Sequence, residues 1–283
     1  MVDRQTFINE VKLKFPSIYN WVIYCYGDES LLDYDGFTIQ SSCGVQQGDP
    51  IGPLLFALAL NMLVEKINAS CSLPIHIWFF DDGTLVGCKA ELLKALNILS
   101  IEGKQYGFEV NFEKCELFWP SDTDLSEFPS EIKRIPTAGV ELLGSYIGCP
   151  ESQERFLQKK TLEIIALLEI LPELNDAQIE FAILKNCLGV CKINHLLRSL
   201  PPIPSHSIHV FDQHQRVCLE RIISRSLTDL QWQLAIIPTT SGGLGLRCAS
   251  NTQLPAYIAS RIATWQNVAA ITGPLLNIRE SQD

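Results

Sequence analysis

The sequence has no basic excess. Its 22 Lys and Arg residues are outnumbered by 32 Asp and Glu, a net charge of −10. Proteins that grip nucleic acid over a broad surface neutralise phosphates with a basic footprint. The whole-chain charge argues against such a footprint and leaves room for a local groove. Long apolar runs are missing too: none reaches the roughly 18 residues that cross a bilayer, so no membrane partner is expected. The opening MVDRQTFINE is polar and charged and unlike a signal peptide. The ten cysteines form neither a short-spaced disulfide framework nor a finger-like C-x₂-C. They read as reduced thiols of an intracellular protein, nuclear or cytoplasmic and not secreted. Charged residues make up only 19 % and hydrophobic ones 47 %, which excludes a disordered chain and provides a real core.

At 283 residues the chain can hold one large domain or two modest ones. The charge imbalance lies in its first half. Residues 1–150 hold 10 Lys+Arg and 20 Asp+Glu, whereas residues 151–283 hold 12 of each. An acidic first half suits a protein partner better than a polyanion.

The most informative stretch is Ile75–Gly87, IHIWFFDDGTLVG. It reads as strand, tight turn, strand, with Asp81 and Asp82 at the tip and Gly83 supplying the turn. Two like charges side by side cost energy unless cations neutralise them. Mg²⁺ prefers carboxylate oxygens and keeps waters and phosphates as its other ligands, so it fits this pair. An ordinary Asp-Asp-Gly turn in water fits as well. The apolar residues flanking the aspartates predict a hairpin packed on a helix over Leu54–Ile67.

Elsewhere in the first half, Phe7, Ile8, Val11, Phe15, Ile18, Trp21 and Val22 recur at helical steps. Pro16 should break that helix in two. Residues 31–44 predict a short hairpin turning at Asp33-Tyr34-Asp35-Gly36. Cys43–Asn61, CGVQQGDPIGPLLFALALN, opens as a polar loop and becomes an apolar helix to about Asn68. Its prolines place the helix start between Asp49 and Pro53, with Asp49 as N-cap. Gly48 allows close approach to the backbone. Glutamines, a bare glycine and a helix start form a polar platform suited to a phosphate or a base.

Together these strings resemble reverse transcriptases of the non-LTR retrotransposon kind. Gln47-Gly48-Asp49-Pro50-Ile51-Gly52-Pro53 is similar to that family's QGDPLGP motif. Phe79-Phe80-Asp81-Asp82 resembles its Y-x-D-D box, with Phe79 in place of the tyrosine. Gly107–Phe118, GFEVNFEKCELF, resembles the next segment, and Leu142–Gly148, LLGSYIG, resembles the L-G-x-x-I-G hairpin that touches the primer. The resemblance covers residues 1–150 well and 151–283 weakly.

The resemblance implies an α+β fold: a right-hand polymerase palm, an antiparallel sheet with packed helices, over 1–150, with incomplete fingers. A helical thumb-like region follows over 151–283. It implies RNA-directed DNA synthesis by two-metal chemistry, with an RNA template, a DNA primer and deoxynucleoside triphosphates. Asp81 and Asp82 would hold two Mg²⁺ ions, Asp81 as the bridging ligand because neighbouring strand residues face opposite ways. Gln47, Gly48, Asp49 and Pro50 would place the nucleotide or templating base. Lys114, otherwise a plain surface lysine, would act as proton donor to leaving pyrophosphate. Gly144, Ser145 and Gly148 would contact the primer. One departure stands out. The family's first motif is a strand ending in aspartate, then a stretch like N-A-F-N-x-V-D-R. Asp3-Arg4 resembles only its end, so the aspartate is expected before Met1 and this chain is expected to be N-terminally truncated and impaired. Asp3 itself reads as an N-cap.

Residues 151–283 read as helices over Phe156–Leu171, Ala177–Leu200 and Val210–Leu227. Cys187, Cys191 and His195 fall on one helix face at a spacing zinc could use, but buried thiols are the better reading. Two other functions remain open. One is a non-catalytic retroelement descendant that binds nucleic acid or protein. The other is an unrelated soluble α+β protein whose aspartate pair is only a turn.

Overall fold

The computed structural model describes residues 2–119, 124–135, 138–202 and 205–272, and the first helix is broken at Pro16, as expected. Helix α1 (Arg4–Lys14) begins where the Asp3 carboxylate accepts from the Thr6 amide at 2.8 Å, the expected N-cap. Pro16 starts a single 3₁₀ turn, and α2 (Tyr19–Tyr26) follows. Strands β1 (Ser30–Tyr34) and β2 (Phe37–Ser41) pair Tyr34 with Phe37 across Asp35-Gly36. Both loop residues have positive φ, 48° and 78°, the mark of a type I′ turn. The turn thus lies one residue later than the sequence placed it.

Helix α3 (Gly52–Ser70) is apolar nearly all round because it serves two cores. Leu55, Leu58 and Ala59 pack against Phe7, Val11, Val22 and Tyr26. Leu60, Leu63 and Ile67 pack against Ala95, Ile98 and Leu99 of α4 (Lys89–Glu102). Between α3 and α4 lie β3 (Ile75–Phe79) and β4 (Asp82–Val86), antiparallel, with Trp78 and Leu85 resting on the second cluster. The expected hairpin on the expected helix is present. After α4, Gly107 takes φ 77°, and Asn111 caps one 3₁₀ turn before β5 (Glu116–Phe118).

Contacts divide the chain into two compact units. The first comprises Met1–Glu116 with Asp124–Lys133, and the second includes Arg134–Ala270. Strand β6 (Lys133–Ile135) pairs with β5. The second unit opens with the hairpin β7 (Gly139–Leu142) and β8 (Ser145–Gly148). Among the described residues the strands form four separate two-stranded sheets rather than one. The fold is α+β.

The rest of the second unit is helical: α5 (Pro150–Ile170), α6 (Ala177–Ile183), α7 (Val190–Ser199), α8 (His206–Ile222), α9 (Asp229–Ile236) and α10 (Ala249–Thr272). The single helix expected over 177–200 is interrupted. A π turn at Leu184–Leu188 ends at Gly189, whose ψ of −154° is extended. A side chain at Gly189 would meet the Leu184 carbonyl at 2.9 Å. Carboxylates reach between helices to close helix starts. Glu154 of α5 accepts from the Ser207 amide and hydroxyl, at 3.1 and 2.7 Å. Buried Asp212 of α8 accepts from the Ala249 and Ser250 amides, at 2.7 and 2.9 Å, and from the Ser250 hydroxyl at 2.6 Å. Each satisfies donors that a helix N-terminus leaves without partners. No helix among the described residues is long and apolar enough to cross a membrane.

Asp212→Ala strands several donors at once and is expected to cost about 2–4 kcal/mol in urea unfolding. Asp212→Asn keeps an acceptor and should cost about half as much. Equal, small losses would show that Asp212 does not hold α10 in place.

Candidate functional site

The aspartate pair sits where a two-residue loop, Phe80-Asp81, joins β3 to β4. Phe79 pairs with Asp82, so Asp81 is at the tip and Asp82 is the first residue of the returning strand. Only Phe80 takes positive φ, 55°, the pattern of a type II′ turn. A bulky residue is strained there. Gly83 is not the turn residue the sequence suggested. It lies opposite Trp78 inside the ladder, where a Cβ would sit 2.5 Å from the indole ring. The glycine is there so that Trp78 can fold across the hairpin onto α3 and α4.

The pleat then fixes where each group faces. His76, Trp78, Gly83 and Leu85 share the helix-facing side. Ile77, Phe79, Asp82 and Thr84 share the other. Both carboxylates are exposed. Among the described residues their side chains make no hydrogen bond or ion pair, and no group of three metal-ligating side chains forms. His76 anchors the hairpin root. Its Nδ1 lies 3.0 Å from Oδ1 of Asn68 in α3, and Trp78 Nε1 donates to its Nε2. Both contacts are satisfied by the neutral ring with its proton on Nδ1, and burial lowers the His76 pKa from its ordinary 6.5.

The loop before α3 is organised by residues the sequence did not single out. Tyr26, at the end of α2, is fully buried. Its hydroxyl donates to Oδ2 of Asp49 and accepts from the Gln46 amide at 3.2 Å. Burial first, and the bond to Asp49 second, push the Tyr26 phenol up to about 12. Beneath the ring, 5.4 Å from its centroid, lies the buried Arg4 guanidinium. Arg4 Nε donates to the Gly44 carbonyl at 3.2 Å, and Nη2 to Ser41 Oγ at 2.9 Å. A buried arginine beside a tyrosine leaves no periodic signal in a sequence, which is why this hub was missed.

Asp49 is therefore not the N-cap of α3, a position held by Ile51. Its Oδ1 instead accepts from the Ile51 amide at 3.0 Å, closing the turn that leads into the helix. Gln47, Gly48 and Pro50 are exposed. Gly48 has φ 90° with open space where a Cβ would be, so the backbone there is accessible. Lys114 ends the 3₁₀ turn after Asn111 and is exposed, with no ion pair among the described residues. No hydrogen bond or ion pair joins the 47–50 loop, the aspartates and Lys114 to one another.

Gly144, Ser145 and Gly148 lie in the second unit. Leu143 and Gly144, both at positive φ, make the β7–β8 turn, and His195 Nε2 lies 3.0 Å from the Leu143 carbonyl. Gly148 has a cause within its own hairpin: a Cβ would meet the Ala138 carbonyl at 2.5 Å. Cys187, Cys191 and His195 are exposed, so the buried-thiol reading of these two cysteines is corrected. The π turn displaces Cys187 from the helical register of the other two.

Tyr26→Phe should cost about 1–3 kcal/mol, because it leaves a carboxylate oxygen and an amide without their buried partner. Urea unfolding measures this, and a loss below about 0.5 kcal/mol would show that the bond is not structural. His76 supplies a pH test. Its lowered pKa contributes stability that is present above 6.5 and lost as pH falls below it. Wild type should lose stability from pH 7 to 5 more steeply than His76→Gln, and equal slopes would overturn the assignment.

Comparison with known proteins adds the family. A family profile described as reverse transcriptase (RNA-dependent DNA polymerase) matches residues 5–157. The retrotransposable element SLACS 132 kDa protein of Trypanosoma brucei gambiense is 24 % identical over 216 residues, covering 74 % of this chain. The match spans only 18 % of that relative. The profile match extends over more than half of the 283 residues, and the chain belongs to the reverse transcriptase (RNA-dependent DNA polymerase) family.

Proposed function

We propose that this chain is a palm-and-thumb portion of a non-LTR retrotransposon reverse transcriptase, built for RNA-directed DNA synthesis. The observation that carries it is the family match over residues 5–157 with the aspartate pair exposed at a hairpin turn. Asp81 and Asp82 fit magnesium by their chemistry: two hard oxygen donors, solvent-facing and unpaired among the described residues. When bound, divalent ions supply charge stabilisation at the phosphorus in an in-line displacement. On this reading Gln47, Gly48, Asp49 and Pro50 seat the incoming nucleotide and templating base beside the aspartates, in a cleft. The open backbone at Gly48 suits a close planar or phosphate group. Lys114 gives its proton to the leaving pyrophosphate. Gly144, Ser145 and Gly148 lie along the primer of an RNA–DNA duplex. Residues 1–150 act as palm and residues 151–283 as thumb.

We infer further that these 283 residues polymerise little on their own. The described residues bring no third carboxylate to Asp81 and Asp82, and a misplacement of about 1 Å can cost on the order of 10²-fold in rate. A second reading is a non-catalytic retroelement descendant that binds a protein, favoured by the acid excess confined to residues 1–150.

Primer extension on an RNA template with Mg²⁺ separates these readings. The chain alone should give no measurable product. Adding an upstream segment that carries a strand ending in aspartate should restore extension, and Asp81→Ala should abolish it again. Extension by the chain alone, lost in Asp81→Ala, would overturn the impairment. No extension in any combination would favour the second reading.

A further inference from the structure

The β1–β2 hairpin turns an apolar face to solvent. Its register places Leu32 opposite Ile39 and Tyr34 opposite Phe37, and cross-strand partners point to the same side of a sheet. These four are 50 %, 50 %, 72 % and 73 % exposed. Behind them, Asp33 pairs with Thr38 and Leu31 with Gln40, a mostly polar face. None of the four joins a hydrophobic cluster among the described residues. The hairpin is fastened at its root, where Arg4 donates to Ser41 Oγ at 2.9 Å and Gln46 to Ser30 Oγ at 3.5 Å. A two-stranded hairpin with one apolar face is marginal in water by itself and gains stability when that face is covered.

Charge selects what covers it. Residues 15–65 contain no Lys, Arg or His at all, while Asp28 and Glu29 lead into the hairpin, Asp33 lies in β1 and Asp35 in its turn; the one cation at its root, Arg4, is buried. That field repels nucleic acid and anionic lipid. It also opposes a second copy, because a two-fold contact would set the same acids against each other. A basic polypeptide meets both requirements: cations for the aspartates and apolar side chains for the face. Among the described residues neither strand pairs with a third, so an extended segment can also pair with the backbone.

We propose that the Leu32, Tyr34, Phe37 and Ile39 face of this hairpin is a docking surface for a basic polypeptide segment carrying large apolar side chains. The inference builds on the reading that the acidic first half takes a protein partner, and it uses none of the residues assigned to metal, nucleotide or primer.

The test titrates the full chain with a labelled seven-residue peptide alternating lysine and valine, read by fluorescence anisotropy. Oligolysine of equal charge and an alternating threonine–valine peptide are the comparisons. The lysine–valine peptide should bind about tenfold or more tightly than either, and less tightly as salt rises. Tyr34→Ser with Phe37→Ser, and separately Asp33→Lys with Asp35→Lys, should each weaken it about tenfold. Their thermal unfolding should match wild type, since these side chains are exposed. Absence of peptide binding, equal binding of oligolysine, or indifference to both variants would overturn the proposal. So would a dimer in sedimentation that Tyr34→Ser with Phe37→Ser dissolves, which would mean that a second copy covers the face. Asp81→Ala should leave peptide binding unchanged, so failure here and failure of the polymerase reading are told apart.

Discussion

The first unit depends on one half-buried hydrogen bond, from the buried Tyr26 hydroxyl to the Asp49 carboxylate. A carboxylate half-withdrawn from water must find donors. Asp49 finds two, the tyrosine hydroxyl and the Ile51 amide. The first ties the loop to the end of α2, and the second shapes the turn that starts α3. Arg4 holds the far side of the loop through Gly44 and Ser41, with its guanidinium under the Tyr26 ring. Residues distant in sequence, from Arg4 to Asp49, are thereby fixed around one polar point inside an apolar cluster.

Consequences pass along α3. Because its start is fixed, its two apolar stretches meet two different partners, α1 with α2 at one end and α4 at the other. Asn68 near its last turn receives His76, and Trp78 lies back on the same helix surface. The hairpin that presents Asp81 and Asp82 is therefore oriented from its root. Its tip needs no partners of its own. The second unit solves its comparable problem differently, with Glu154 and Asp212 closing helix starts across helix pairs. In both units a carboxylate supplies an acceptor to backbone donors that lack one.

What the sequence made legible follows from periodicity and from residues with fixed backbone preferences. Pro16 broke a helix, Asp3 capped one, and alternating apolar residues gave both hairpins their strands. The errors fall where packing overrides local preference. Gly83 looks like a turn glycine beside Asp-Asp, yet it is bare because an indole ring lies over it. Asp49 looks like an N-cap, yet a tyrosine 23 residues earlier claims its carboxylate. The helix over 177–200 has an unbroken pattern, and the π turn that divides it is set by tertiary contacts that a pattern does not contain. Helices α9 and α10 went unread. The glycines at 242–245 and Pro255 within α10 obscure their pattern.

The aspartate pair illustrates how a fold can hold like charges together at little cost. Exposed to water, two neighbouring carboxylates repel by about 1 kcal/mol or less, so the hairpin bears them with no neutralising partner among the described residues. The demanding element is the turn. Phe80 accepts a positive φ that a bulky residue disfavours, and such strain persists only where surrounding contacts over-determine the backbone. Those contacts are present in the Trp78–Gly83 packing and the His76 root, both on the helix side of the hairpin. A glycine at position 80 would remove the strain but would also free the tip. The Phe80 ring instead meets the Phe79 ring edge-on, with Asp81 at the tip and Asp82 in the ladder. The hairpin root thus fixes the backbone at positions 81 and 82, while the two exposed side chains make no hydrogen bond or ion pair among the described residues.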